Sequence, residues 1–197
     1  MIQADSTQPS LLARLQRRDP ELLSELIGEH SKPLYRTARG MGFRQDEAED
    51  LVQDVFTTFL ESLDRFEGRS QLRTWLIGIL HHKAMERRRK RMQDDRHDAI
   101  DAVFEARFDS QGNWSNPPRD LSRLLESKEL GAAIAHCLDG LSLTQRSVFV
   151  LREMEGLKTD EVCKIVGVTV TNMGALMHRA KNRLRECLEG SGWGATE

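Results

Sequence analysis

The sequence predicts an all-α protein of two small helical domains, 1–92 and 121–197, joined by a partly irregular linker over 93–120. Three observations lead there. Wherever the chain is patterned, apolar residues recur at intervals of three and four, the period of a helix face rather than a pleated strand. Runs of period-two alternation are few, and a single tyrosine leaves little sheet-forming material. Between 93 and 120 the pattern vanishes among Asp94, Asp95, Gly112, Asn113, Ser115, Asn116, Pro117 and Pro118, and a long stretch without period is more often connector than core. A length of 197 residues suits two modules with modest cores.

The first domain opens with a short helix from Leu11 to Arg18, with Ser10 as its cap. Asp19 then caps a longer helix with Pro20 at the first position. That helix is expected to run to about Gly40–Gly42, kinked at Pro33. Ala48, Leu51, Val52, Val55, Phe56, Phe59, Leu60 and Leu63 define the next and clearest helix, whose acidic first turn suits the positive end of the helix dipole. After a loop over 64–70, Leu72, Trp75, Leu76, Ile79 and Leu80 give a helix that turns wholly polar at Lys83 and ends near Met92. These helices can close one bundle.

In the linker Ile100, Val103, Phe104, Phe108 and Trp114 are apolar enough to dock on something. The second domain begins near Leu121, and Leu130, Ile134, Cys137, Leu138 and Leu141 form its first helix face. Ser142 and Gln145 have the spacing of a capping box, and Val148, Leu151 and Met154 continue the helix to Gly156. Residues 157–189 then read as a helix-turn-helix. Thr159 to Val166 is the first helix, Gly167–Val168 the turn, and Thr169 the cap of the second. Val162, Val166, Val168, Met173 and Leu176 fall where crossed helices need apolar packing, with Cys163 small at the close approach. The second helix carries His178, Arg179, Lys181, Arg183 and Arg185, and a positive helix behind a crossed pair is a usual means of entering a DNA groove. The tail after Gly190 is short, with Trp193 able to fold back.

Charge is segregated although the formal net charge is only −2. Residues 46–64 carry Asp46, Glu47, Glu49, Asp50, Asp54, Glu61 and Asp64 without a base, whereas 83–91 carry Lys83, Arg87, Arg88, Arg89, Lys90 and Arg91 against Glu86 alone. Such segregation points to one basic partner and one anionic partner. The absence of a long apolar run speaks against membrane insertion, and the N-terminus lacks the regions of a signal peptide. The cysteines, Cys137, Cys163 and Cys187, have no CxxC spacing. They read as reduced residues of a cytoplasmic protein on apolar faces, with no oxidation switch expected. His81–His82, His97, His136–Cys137 and Cys163 have no structural-zinc spacing, and no phosphate loop or nucleophile elbow is present. No metal, cofactor or catalytic residue is therefore expected.

The residues also carry a resemblance. Asp46 to Phe56 (DEAEDLVQDVF) resembles the region 2.2 pattern of the sigma-70 family of RNA polymerase sigma factors. Leu72 to Leu80 resembles regions 2.3 and 2.4, and Leu151-Arg152-Glu153 with Glu161 through Arg185 resembles region 4. The length, with nothing but a linker between the blocks, is similar to the extracytoplasmic-function type. The resemblance implies a factor that binds RNA polymerase core and directs promoter-specific initiation of a stress or envelope-response regulon, while catalysing nothing itself. It implies docking of Glu49, Asp50, Gln53 and Asp54 on the clamp coiled coil of the largest subunit of the core enzyme, whose second subunit also takes part through its flap. It places Ser62, Phe66, Arg73, His82, Lys83 and Arg87 at the −10 element, and Arg152, Thr171, Asn172, Ala175, His178 and Arg179 at the −35 element. Ser62, Phe66 and His82 fall at the positions of a pocket for a flipped base. An anti-sigma factor is a further partner that the resemblance implies. Three departures bear on specificity: His82 stands where asparagine is usual, and Gly174 and Leu176 stand where basic residues are common. The rival reading is a stand-alone helix-turn-helix regulator, which would bind duplex DNA as a dimer without polymerase. It gives the acidic face at 49–54 no task.

Overall fold

The structure, a computed structural model, describes residues 11–92 and 128–193. Ser10, the linker residues, His97, the start of the second domain at Leu121 and the side chains of Arg91, Leu130 and Trp193 lie outside what it describes. Among the described residues every regular element is helical, in two compact units.

The first unit contains α1 (Leu11–Gln16), α2 (Pro20–Gly40), α3 (Gln45–Glu61) and α4 (Leu72–Met92). Helix α1 stops at Gln16, short of the expected Arg18, because Arg18 takes a left-handed φ of 55°. The Arg18 and Asp19 amides then donate back to the Leu15 and Arg14 carbonyls at 2.9 and 3.1 Å, which closes the helix end. Asp19 serves the next helix as expected. Its carboxylate accepts from the Glu21 and Leu22 amides at 3.1 and 3.3 Å and from the Arg14 side chain at 2.7 Å. The Arg14 hydrogen bond is the main reason its pKa lies below the ordinary carboxylate value. Helix α2 continues through Pro33 to Gly40.

Helix α3 buries Ala48, Leu51, Val52, Val55, Phe56 and Phe59, the stripe its spacing announces. Each fully buried large apolar side chain contributes about 1.5–3 kcal/mol, so this face fastens α3 into the unit. Leu63 lies in a 3-10 turn (Leu63–Arg65) and is fully buried. On α4 the innermost residues are Leu76, Ile77, Leu80 and Ala84, whereas Leu72, Trp75 and Ile79 are half-buried. The expected stripe is thus rotated toward Ile77. His81 is also buried, and its Nε2 has no hydrogen-bond partner. Burial, followed by the charge of neighbouring His82, pushes its pKa down to about 4.

The second unit contains α5 (Lys128–Asp139), α6 (Leu143–Phe149), α7 (Thr159–Val166) and α8 (Val170–Leu188). Ser142 and Gln145 form the capping box as their spacing requires. After Phe149 the chain widens into a π-helical turn, Val150–Met154, where the Glu155 amide donates to the Val150 carbonyl at 3.0 Å. One continuous α-helix was expected here. The wider turn leaves Val150 and Leu151 in the core and Met154 half exposed. Gly167 has φ 76°, the left-handed conformation that the turn of the helix-turn-helix needs. Thr169 caps α8 by accepting from the Asn172 amide at 3.2 Å. Val162, Cys163, Met173 and Leu176 close the contact between α7 and α8. Leu176 belongs to this core, which accounts for an apolar residue at that position.

The cysteines correct the sequence reading. Cys137 on α5 and Cys187 at the end of α8 are joined as a disulfide, with Cα atoms 5.6 Å apart, and Cys163 alone is free and buried. Cys137 packs in a cluster with Leu138, Leu141, Phe149, Ala180, Leu184 and Leu188. Sequence spacing held no hint of this pairing because the two residues, 50 apart in sequence, meet only through the packing of α5 on α8. In the chain-entropy account a cross-link closing such a loop stabilises by about 4 kcal/mol.

Candidate functional site

Two polar surfaces, one on each unit, collect the residues singled out from sequence. On α3 the first turn is used internally. The Glu47 carboxylate accepts from the Arg44 amide at 2.9 Å, and Asp46 pairs with the Arg44 guanidinium at 3.2 Å. Asp46 and Glu47 therefore serve the helix terminus. Glu49, Asp50 and Gln53, one or two turns further on, are exposed. The Gln45 amide reaches Glu49 at 3.1 Å. Asp54 differs from these three, because it accepts from the Arg87 guanidinium of α4 at 2.5 Å.

Arg87 is correspondingly drawn inward. Its second nitrogen donates to the Glu47 carbonyl at 3.1 Å, so one side chain ties α4 to α3 at two points. Arg88 stacks its guanidinium over buried Phe43, 5.4 Å from the ring centre. His82, Glu86, Arg89 and Lys90 are exposed and Lys83 half-buried, so the outer face of α4 carries three cationic side chains against one carboxylate. Arg73 lies half-buried in the first turn of that helix.

The loop between α3 and α4 is organised by aromatic packing. Phe66 is buried and stacked on Trp75, with centroids 4.7 Å apart, and Trp75 meets Phe59 edge to face at 5.5 Å. The Ser62 hydroxyl donates to the Thr58 carbonyl at 2.6 Å. Of the expected pocket residues only His82 presents its side chain freely to solvent, whereas Phe66 and Ser62 shape the loop from beneath.

On the second unit Thr171, Asn172 and Gly174 are exposed near the N-terminus of α8, and Ala175, His178 and Arg179 are half-buried behind them. Helical spacing puts Thr171, Gly174, Ala175 and His178 on one face. A Cβ built on Gly174 would meet nothing within 4 Å, so packing inside the unit does not require glycine there. The Asn182 amide sits 3.1 Å from the His178 Nδ1. Burial, and then Arg185, holds the His178 pKa below its ordinary value, which favours the neutral ring, and its Nε2 is buried. Arg152 donates to the Leu157 carbonyl at 2.7 Å and so steadies the loop before α7. Lys181 pairs with Glu153 at 2.9 Å. The basic half of α8 is thus partly spent on holding the unit together. Val170, the first residue of α8, is apolar yet 58% exposed, and sequence reading missed it. Its place outside the Val162–Met173–Leu176 packing set is the signal that could have found it.

Among the described residues no group of three or more His, Cys, Asp or Glu is placed to hold a metal. Nor is any helix among them long and apolar enough to cross a membrane.

Comparison with known proteins gives these surfaces a context. The family model described as Sigma-70 region 2 matches residues 26–94, and that described as Sigma-70, region 4 matches 131–184. The RNA polymerase sigma factor NccH of Alcaligenes xylosoxydans xylosoxydans is 28% identical over 94% of this chain and 98% of its own length. The ECF RNA polymerase sigma factor SigX of Bacillus subtilis is 28% identical over 86% of this chain and 84% of its own. Among solved structures, the sigma factor RpoE of Bartonella quintana, crystallised with the anti-sigma factor NepR, matches with a TM-score of 0.60. It is 26% identical, and the match covers 88% of this chain and 98% of that one.

Proposed function

The chain belongs to the sigma-70 family of RNA polymerase sigma factors, in its extracytoplasmic-function branch, and on that premise we propose how its surfaces divide the work of initiation. Sigma factors bind core polymerase and promoter DNA and direct transcription initiation without catalysing it, and this chain is one of them. Residues 1–92 are assigned to region 2, 93–120 to a linker and 121–197 to region 4. The factor acts in the cytoplasm, where the polymerase is.

The observation that carries the docking assignment is the exposure of Glu49, Asp50 and Gln53 after the cap has used Asp46 and Glu47 and Arg87 has taken Asp54. Helix-dipole stabilisation accounts for the first turn but falls off beyond it, so the remaining polar face is free to meet a basic surface, the clamp coiled coil. On α4, Lys83, Arg89 and Lys90 hold phosphates, which gives affinity without sequence choice. His82 is the ring that meets a base drawn from the melted strand, supported by the loop that Phe66 and Trp75 brace. On α8 the outer face of Thr171, Gly174 and Ala175, with Asn172 and Arg179 beside it, reads the upstream duplex in the major groove, and His178 backs that face from a half-buried position. The solved complex of the Bartonella quintana relative with an anti-sigma factor supports a partner of that kind for this chain, and a stress or envelope-response regulon fits the branch.

The test is run-off transcription and binding with purified core enzyme. Asp50→Arg and Gln53→Ala should lose core binding while keeping their helical circular dichroism. Normal core binding by both variants would remove the docking assignment. Tight, sequence-specific binding of the free factor to duplex DNA, without core, would favour the stand-alone regulator instead.

A further inference from the structure

We propose that Cys137 and Cys187 are a reversible redox site, whose co-reactant is a small disulfide of the glutathione class, and that its oxidation clamps the second unit into its folded form. The inference rests on neither the polymerase nor the DNA assignment. The two cysteines sit at one contact between α5 and the last turn of α8. Their Cα separation of 5.6 Å lies within the range that a disulfide spans, so the bond can open and close without moving either helix. The two sulfurs are also unequal. Cys137 is 2% exposed in the apolar cluster, whereas Cys187 lies at its edge and is only half-buried. Cys163 is buried on α7 and takes no part.

That asymmetry orders the chemistry. In the dithiol form the Cys187 thiolate attacks one sulfur of the small disulfide, and the departing small thiolate takes up a proton. Cys137 then gives up its proton and attacks the Cys187 sulfur, expelling the second small thiol. Two protein thiols and one small disulfide become one protein disulfide and two small thiols, a balanced two-electron exchange. A reducing cytoplasm holds the site open and an oxidising challenge closes it. In the open form the contact of α5 with α8 rests on apolar packing, with Ala133, Ile134 and Leu138 of α5 against Met177, Ala180, Leu184 and Leu188 of α8. The closed form pins the far end of the same helix whose N-terminal half carries Thr171, Asn172 and His178.

The experiment equilibrates the full chain in buffers of graded reduced and oxidised glutathione. Each sample is quenched in acid, unfolded and alkylated, and its intact mass is measured. Thermal unfolding is followed in parallel. One alkylated thiol is expected at the oxidising end and three at the reducing end, joined by a single two-electron transition. Oxidation should raise the unfolding midpoint of the second unit by at least about 10 °C. Cys163→Ser should keep both the transition and the shift, and Cys187→Ser, at the half-buried position, should abolish them. Three alkylated thiols at every ratio would overturn the proposal. So would a pair that stays oxidised in the most reducing buffer while the protein is folded, or a midpoint shift that survives in Cys187→Ser.

Discussion

His81 shows how much one side chain can depend on its surroundings. The two histidines are adjacent, yet the His81 ring is buried on α4 while its neighbour His82 is exposed. Because the folded-state pKa of His81 is depressed to about 4, the unfolded chain binds a proton first as the pH falls. Stability is then whole above the unfolded value, near 6.5, and declines as the pH falls from there toward about 4. Urea unfolding at pH 7.5 and at pH 5 should therefore show an acid loss of up to about 2 kcal/mol from this residue. His81→Leu should remove that part of the loss, and an unchanged pH dependence in the variant would clear His81 of the effect. The same lesson applies to Arg87. It stands in a run of cations that reads as one phosphate-binding surface, but two of its contacts are to α3.

The decisive element is α8, which carries a cap, the face proposed to read DNA and a structural tail in one helix. Its cap is Thr169, whose hydroxyl oxygen meets the Asn172 amide, and Thr169→Ala should cost about 1 kcal/mol of stability in thermal or urea unfolding of the second unit. Gly174 sits inside the helix with open space where a Cβ would go, so Gly174→Ala should stabilise the unit by about 0.5–1 kcal/mol. That position also faces outward with Thr171. If the backbone there lies close to DNA, the more stable variant will direct weaker initiation from its own promoter. Equal or stronger initiation would show that no close approach is made. The π-helical turn at Val150–Met154 is a second element-level feature, and it has no signature in the apolar spacing because it changes the period only locally.

At the level of the molecule, the acidic face of α3 and the basic face of α4 are proposed to meet partners of opposite charge. Phosphate contacts release counterions, so promoter binding by the holoenzyme should weaken with rising salt. Removing Lys83 and Lys90 together, both on the outer part of α4, should reduce the slope of log affinity against log salt by up to about 2, leaving promoter preference intact. A change of preferred sequence in this double variant would mean that these cations read bases rather than hold the backbone.

Much of this protein was legible in one dimension. The helices, the capping box at Ser142 and Gln145, the cap at Thr169 and the left-handed glycine at 167 depend on neighbours a few residues apart, and local sequence encodes them. The segregation of acidic and basic stretches is likewise written along the chain. What the sequence alone could not decide was which members of each stretch remain outside. Asp50 and Asp54 are four residues apart on one helix, yet only Asp54 meets an arginine 33 residues away. Phe66 lies in a polar loop, and Trp75 draws it under cover. Cys137 and Cys187 read as separate thiols until α5 lies against α8. Helical period determines which residues share a face, but only the packing of one helix on another determines what that face meets.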